Sequence, residues 1–229
     1  MPRPPHARLA AALALLAAPA AAFEAPEGCT GVLTVQSADC SVTHVFTCEA
    51  DPEGWRRKVD FDQDGPTGAV VVDGEYQWLE SYGTDRRQRL GEAPDPSSLT
   101  TLFETGEDTQ DFEQVDIAAE EGAGVSRLVG VDRLTGETLE IDGVPLERTE
   151  YYLRKFDPEG ELEYAVTGQQ YVSRELRLFF GGQSVLQTDG RTVPLPDSRP
   201  VNFYRPGDAG FFQDRPLHGC PATDAALRP

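Results

Sequence analysis

Two arginines and a tyrosine form the most specific group of potential ligand-binding residues in the sequence. If residues 157–160 form a type I turn with a bulge at Gly160, antiparallel pairing places Arg154 opposite Tyr164, and the next hairpin places Tyr164 opposite Arg174. Guanidinium groups bind carboxylates and phosphates through paired hydrogen bonds, and the apolar side chains that would share this face suit an acyl or aromatic group. This row therefore predicts a binding site for an acidic, amphiphilic ligand.

The prediction depends on the register of the strands, which the sequence leaves open. A shift of one residue pairs Arg154 with Glu163 on a solvated face and turns Tyr164 towards the core. The stems of arginines also cover apolar surface while their charged ends stay in water. Solvated or structural arginines are therefore the alternative interpretation of Arg154 and Arg174.

Three aspartates at alternate positions match the opening of a calcium-binding loop. Asp60, Asp62 and Asp64 precede Gly65 in a D-x-D-x-D-G string, and carboxylate oxygens are the ligands that calcium prefers. The twelfth position of the loop is Val71 instead of the bidentate glutamate, and no helical pattern flanks it. Calcium is thus the one cofactor that the sequence suggests, and an acidic hairpin turn is the alternative.

Other catalytic groups are either too few or too many to select. The chain has 3 histidines, of which His44 and His218 follow the N-terminal segment, and this argues against a multi-histidine metal site. It has 39 aspartates and glutamates, so pairs of acids suited to hydrolysis are numerous and none stands out. A hydrolase that uses paired carboxylates or calcium remains a hypothesis without assigned residues.

The elements that would position these groups are short β-strands. Alternating apolar residues are separated by turn signals such as Asp73-Gly74, Asp142-Gly143 and Gly181-Gly182, which is typical of an antiparallel meander. Residues 95–106 break the pattern with a capping aspartate, Pro96, an apolar stripe and a terminal glycine, and they predict one short helix. We expect an all-β fold, either a curved open sheet, a half-barrel or a barrel.

The four cysteines predict two disulfides that tie the termini of the domain together. Three pairings are possible. A hairpin that turns at residues 38–39 would place Cys29 opposite Cys48 and leave Cys40 for Cys220. Residues 194–229 are rich in proline, and we expect them to form an extended tail packed on the sheet.

The N-terminus has the pattern of a secretory signal peptide. Arg3 and Arg8 precede an apolar run, and small residues end at Ala22, so cleavage is expected near Ala22 and the domain is expected to span residues 23–229. No later stretch has 18 or more apolar residues, which predicts no transmembrane anchor. The protein is therefore expected to be periplasmic or secreted.

The net charge of -19 argues against one large class of partners. Nucleic acids and anionic membranes attract clustered lysine and arginine, and this chain has only two lysines, Lys58 and Lys155. The leading hypothesis is a non-enzymatic binding module whose apolar concavity takes a lipid-like or acidic amphiphilic ligand. The alternatives are an envelope protein that binds a partner through a surface patch or sheet edge, and the hydrolase described above.

Overall fold

The computed structural model describes residues 22–84, 86–117 and 124–221. The predicted signal peptide lies outside the described residues except for Ala22. No helix among the described residues is long and apolar enough to cross a membrane.

The described chain is almost entirely β-structure, with strands that follow the alternating apolar pattern. The elements are β1 (Cys29–Ser37), β2 (Val42–Cys48), β3 (Arg56–Phe61), β4 (Pro66–Val72), β5 (Trp78–Tyr82), β6 (Arg87–Leu90), α1 (Leu99–Thr105), β7 (Glu107–Asp116), β8 (Val125–Ile141), β9 (Val144–Phe156), β10 (Leu162–Ser173), β11 (Leu178–Phe180), β12 (Ser184–Thr188), β13 (Arg191–Pro194) and β14 (Pro200–Tyr204).

These strands form one antiparallel sheet, as the turn signals predict. Its order is β13-β12-β10-β9-β8-β7-β6-β5-β4-β3-β2-β1-β14, and β11 pairs with β10 beside β12. The described part of the sheet is not closed by strand pairing, so β13 and β14 are its edges. The fold is therefore the open form of the meander.

The sheet is strongly curved, because its two ends share one hydrophobic core. Leu33 and Val45 of β1 and β2 pack in the same cluster as Leu146 of β9 and Leu178 of β11. The carboxylate of Asp142, in the turn between β8 and β9, also accepts a hydrogen bond from the backbone N–H of Phe203 in β14 at 3.1 Å. Side-chain contacts thus connect β1, β2 and β14 to the β8–β11 part of the sheet, which strand pairing does not do.

The single helix of the described chain is shorter than the sequence predicts. It begins after Ser98, whose hydroxyl accepts from the Thr101 N–H at 3.0 Å, and it ends at Gly106 in a left-handed conformation. Asp95 does not cap the helix, since it pairs with Asp111 of β7 instead. Leu99 and Leu102 are buried and cover one end of the curved sheet, as expected for the apolar stripe.

Both disulfides are present, Cys29–Cys48 and Cys40–Cys220, which are the pairs that the hairpin register favours. The second ties the C-terminal region to the turn after β1. The tail also binds β1 directly, because Gln36 donates to the Arg215 carbonyl at 3.0 Å and accepts from the Leu217 N–H at 2.9 Å.

An aromatic cluster lies under this tail, on the face of β1 and β2 opposite Val35 and Val45. It consists of Phe23, His44, Phe61 and Phe212, with the Phe23 ring stacked on His44 at 4.9 Å between ring centroids. The backbone N–H of Phe23 donates to the Phe212 carbonyl at 2.8 Å. The first residues of the predicted mature chain are therefore part of the packed structure.

Candidate ligand-binding cavity

The curved sheet leaves a cavity of about 400 Å³ beneath helix α1. Strands β3, β5 and β7–β11 contribute to its wall, together with the loop between β4 and β5. Its volume falls within the range of small-molecule sites, ~300–1,000 Å³. It combines an apolar wall with the buried ionisable groups Lys58, Asp108 and Asp132.

Most of the cavity wall is aromatic or aliphatic. The side chains that contribute apolar surface are Trp78, Phe112, Leu153, Val166, Phe179 and Leu195, with Tyr151 and Tyr164 beside them. Beside the wall residue Gln110, Gly130 of β8 has no room for a side chain, because a Cβ at this position would lie 3.1 Å from the Gln110 amide nitrogen and 2.9 Å from the Tyr152 carbonyl oxygen. The glycine at position 130 therefore lets the Gln110 side chain pack closely against the backbone of β8.

Two aspartates lie together in one part of the wall. Asp108 of β7 and Asp132 of β8 occupy directly opposite positions of the paired strands. Asp132 accepts hydrogen bonds from the amides of Gln170 at 2.6 Å and Gln110 at 3.2 Å. Asp108 accepts from the backbone N–H of Ser98 at 2.9 Å, which joins it to the start of helix α1.

Burial changes the protonation of both acids. Removal from water raises the pKa of Asp132 to about 7. The hydrogen bond from Gln170 acts in the opposite direction, and the negative charge of Asp108 raises the pKa further. Burial also raises the pKa of Asp108 to about 6, with Asp95 and Glu75 acting in the same direction. The pair therefore exchanges protons near neutral pH, unlike an exposed carboxylate.

A single cation, Lys58, lies at another part of the cavity wall. Its Nζ donates to the Tyr76 hydroxyl at 2.8 Å, and that hydroxyl donates to the Phe179 carbonyl at 3.3 Å. Burial lowers the pKa of Lys58, but Tyr76 and the charge of Asp60 outweigh it and place the pKa above its usual value. Lys58 is therefore a charged group that faces a largely apolar space.

The loop that carries Tyr76 is held from both sides. Tyr76 has a φ of 66°, a conformation that residues with a Cβ rarely adopt. Arg177 donates to the Gly74 carbonyl at 2.8 Å and pairs with the Glu75 carboxylate at 2.6 Å. Glu75 also accepts from the Thr100 N–H in the first turn of α1 at 2.8 Å. These contacts fix the position of the Tyr76 ring.

The second lysine differs from the first in its partner. Lys155 is 5% exposed, and its Nζ pairs with the Glu163 carboxylate at 3.0 Å. No described carboxylate lies within ion-pair distance of Lys58, whose hydrogen bond goes to a neutral phenol. Of the two lysines, Lys58 is thus the one with capacity for a ligand.

The predicted row of Arg154, Tyr164 and Arg174 is not formed. A bulge between Leu162 and Tyr164 pairs Arg154 with Ala165, and Tyr164 with Lys155, so Arg154 and Tyr164 lie on opposite faces. Only Tyr164 lines the cavity.

The two arginines have other surroundings. The guanidinium of Arg154 lies 5.6 Å from the rings of both Tyr152 and Phe156. Arg174 lies beyond β10 and pairs with Glu147 at 2.8 Å. The Nε of Arg154 is buried without a hydrogen-bond partner among the described residues, so a ligand-binding role for this arginine stays a prediction.

The three aspartates of the suggested calcium loop do not converge. Asp60 lies within β3, where it accepts from the Thr43 hydroxyl, while Asp62 accepts from the backbone N–H groups of Asp64 and Gly65. Nowhere in residues 22–84, 86–117 and 124–221 do three potential metal-ligating side chains come together. This string forms the acidic hairpin turn.

The groups that matter in the cavity escaped the sequence analysis for physical reasons. The pairing of Asp108 with Asp132 depends on the length of the connection between β7 and β8, which the sequence presents only as a loop. The sequence feature that could have drawn attention to Lys58 is the scarcity of lysine, because this acidic chain has only two. Lysines are rarely buried in proteins, so a buried one is a candidate for a functional role.

No protein-family model, curated protein or solved structure matches this chain. The function must therefore be argued from the geometry of the cavity.

Proposed function

We propose that this protein is an exported, non-enzymatic binding module that holds a lipid-like or other amphiphilic ligand in the cavity beneath α1. The observation that carries the proposal is an open space of about 400 Å³ with an aromatic and aliphatic wall inside a chain of net charge -19. Unfilled apolar surface of this size costs stability unless a ligand covers it.

The polar groups of the cavity support an amphiphilic ligand over a purely apolar one. Lys58, Asp108 and Asp132 are confined to two parts of the wall, and Trp78, Phe112 and Val166 supply apolar surface. A ligand with an apolar body and one polar head satisfies both kinds of surface at once. The two disulfides support export, because such bridges persist in oxidising compartments.

The test is binding of an uncharged fluorescent apolar probe, N-phenyl-1-naphthylamine, to the mature chain. We expect micromolar binding that Val166→Phe weakens by roughly tenfold, because the larger side chain occupies the cavity. The matched control is Val193→Phe at the exposed edge strand β13, where the valine is 44% exposed. Equal binding by both variants would place the probe elsewhere and contradict the proposal.

A hydrolase is the second candidate function, and the paired carboxylates favour it. Asp108 and Asp132 lie on opposed positions in one cavity, and their raised pKa values suit one acid and one base near neutral pH. The test is turnover of chromogenic glycosides and esters by the mature chain and by Asp132→Asn. Turnover that the variant loses by about a hundredfold or more would favour catalysis over binding.

A further inference from the structure

We propose that Lys58 and Tyr76 form the head-group site of this cavity and that they bind the carboxylate of a fatty-acid-like ligand. This inference rests on the proposed binding function and specifies its ligand. The Nζ of Lys58 and the hydroxyl of Tyr76 are 2.8 Å apart, so one carboxylate can accept a hydrogen bond from Lys58 and, when the Tyr76 O–H turns away from the Phe179 carbonyl, from Tyr76 as well.

The donor capacity of the pair supports an anionic ligand. An ammonium group has three N–H donors, and the described protein accepts one of them, at Tyr76. The Tyr76 hydroxyl has its own acceptor, the Phe179 carbonyl, at the longer distance of 3.3 Å. A carboxylate in direct contact would supply acceptors for the remaining N–H groups of Lys58 and would add to the more distant negative charge of Asp60.

The surroundings of Lys58 favour a carboxylate attached to an apolar chain. Lys58, Tyr76 and Phe179 line the same cavity as Trp78, Leu153 and Val166. A head group at Lys58 therefore places the attached chain against apolar side chains. The cavity volume suits a chain of medium length.

The position of Tyr76 is set before any ligand arrives. Its left-handed backbone conformation is maintained by the contacts of Arg177 with Gly74 and Glu75, which connect this loop to the segment between β10 and β11. Uncommon backbone conformations that the surrounding structure enforces are frequent at ligand-binding positions. A preorganised donor loses less conformational entropy on binding.

The experiment compares decanoate, decanol and decylamine, which share one chain and differ in the head group. Each displaces N-phenyl-1-naphthylamine from the mature protein at about pH 6, where the carboxylate and the ammonium are both ionised. We expect decanoate to bind roughly tenfold more tightly than decanol or decylamine. Lys58→Met should abolish this preference through a roughly tenfold loss of decanoate affinity, and decanol binding that is still measurable shows that the variant is folded.

Two further variants define the site. Lys155→Met removes the other lysine, which is paired with Glu163, and it should retain the preference for decanoate. Tyr76→Phe keeps the ring but removes the hydroxyl, and it should lose about threefold in decanoate affinity alone.

The possible failures are distinguishable. A preference for decanoate that persists in Lys58→Met overturns the assignment of Lys58. Tightest binding of decylamine overturns it as well, and assigns the head group to Asp108 and Asp132. Failure of the probe itself to bind contradicts the binding function and with it the head-group site.

Discussion

The cavity and the aromatic cluster show two ways in which one sheet accommodates an ionisable group. Under the tail, His44 is fully buried in contact with the rings of Phe23, Phe61 and Phe212. Beneath α1, Asp132 is nearly as buried, but it borders a space of about 400 Å³. The same curved sheet is thus filled by its own side chains in one place and left open in another.

Burial acts in opposite directions on the two groups. It lowers the pKa of His44 to about 4 and raises the pKa of Asp132 to about 7. In both cases the neutral form is favoured, because neither group has a charged partner that compensates for lost water. The aromatic cluster thus buries its ionisable group against other side chains, whereas Asp132 borders open space.

The largest expected effect is the loss of stability on removal of a disulfide, which should leave binding unchanged. Replacing Cys40 and Cys220 by alanine opens a bridge with a sequence separation of 180 residues and should lower the free energy of unfolding by about 5 kcal/mol. Removing the Cys29–Cys48 bridge, with a separation of 19, should cost about 3 kcal/mol. Urea unfolding measures both, and probe affinity of the folded fraction should not change. A parallel loss of affinity would show that the tail supports the cavity.

The next effect concerns Asp132 and pH. The folded protein keeps this proton up to about pH 7, whereas the unfolded chain releases it near the ordinary value of 3.8. The folded state therefore binds more protons in this window, and its stability rises by about 4 kcal/mol as pH falls through it. Asp132→Asn should remove this contribution and leave the smaller one of Asp108, whose pKa is raised to about 6, as measured by urea unfolding from pH 8 to pH 4. Asp64→Asn, in an exposed turn, is the control and should keep the wild-type slope.

His44 should show the opposite slope over nearly the same range. The unfolded chain takes up a proton below about pH 6.5, while folded His44 does so only near pH 4, so stability falls by about 3 kcal/mol as pH drops between these values. His44→Leu should abolish this loss, and His218→Leu, outside the cluster, should not. Since the two slopes oppose each other and the raised pKa of Asp108 acts in the same direction as that of Asp132, the stability of the wild-type protein should rise more on acidification than that of Asp132→Asn and less than that of His44→Leu. A wild-type curve steeper than both variants would contradict the comparison.

The smallest expected effect concerns the helix over the cavity. Ser98→Ala removes the N-cap of α1 and should cost about 1 kcal/mol in urea unfolding. Thr101→Ala, at an exposed position of the same helix, should change stability by less than about half that amount. A larger loss of probe affinity in Ser98→Ala than in Thr101→Ala would show that the capped helix shapes the cavity. Equal affinity would limit its role to stability.

Local patterns predicted the fold better than the site. The cysteine hairpin, the turns and the apolar stripe of α1 depend on neighbouring residues, and the structure confirms both disulfides and the single helix of the described chain. The arginine row failed because one bulge near Leu162 changed the pairing by a residue, which no local pattern reveals.

The head-group pair shows a further limit of sequence reasoning. Lys58 and Tyr76 meet across a hairpin, and the hydroxyl reaches the carbonyl of Phe179, which is 103 residues away in the chain. Such contacts arise from the curvature of the whole sheet. The meander predicted that a concavity would exist, but not which side chains would face it.

The contacts of Phe23 bear on the predicted position of signal cleavage. Cleavage after Ala22 would make Phe23 the first residue, with its amine still beside the Phe212 carbonyl and its ring still on His44. Trimming one residue further would remove the ring and open a void next to the imidazole. Water in that void would let His44 take up a proton at a higher pH. The processing site would then determine how well the mature protein survives acid.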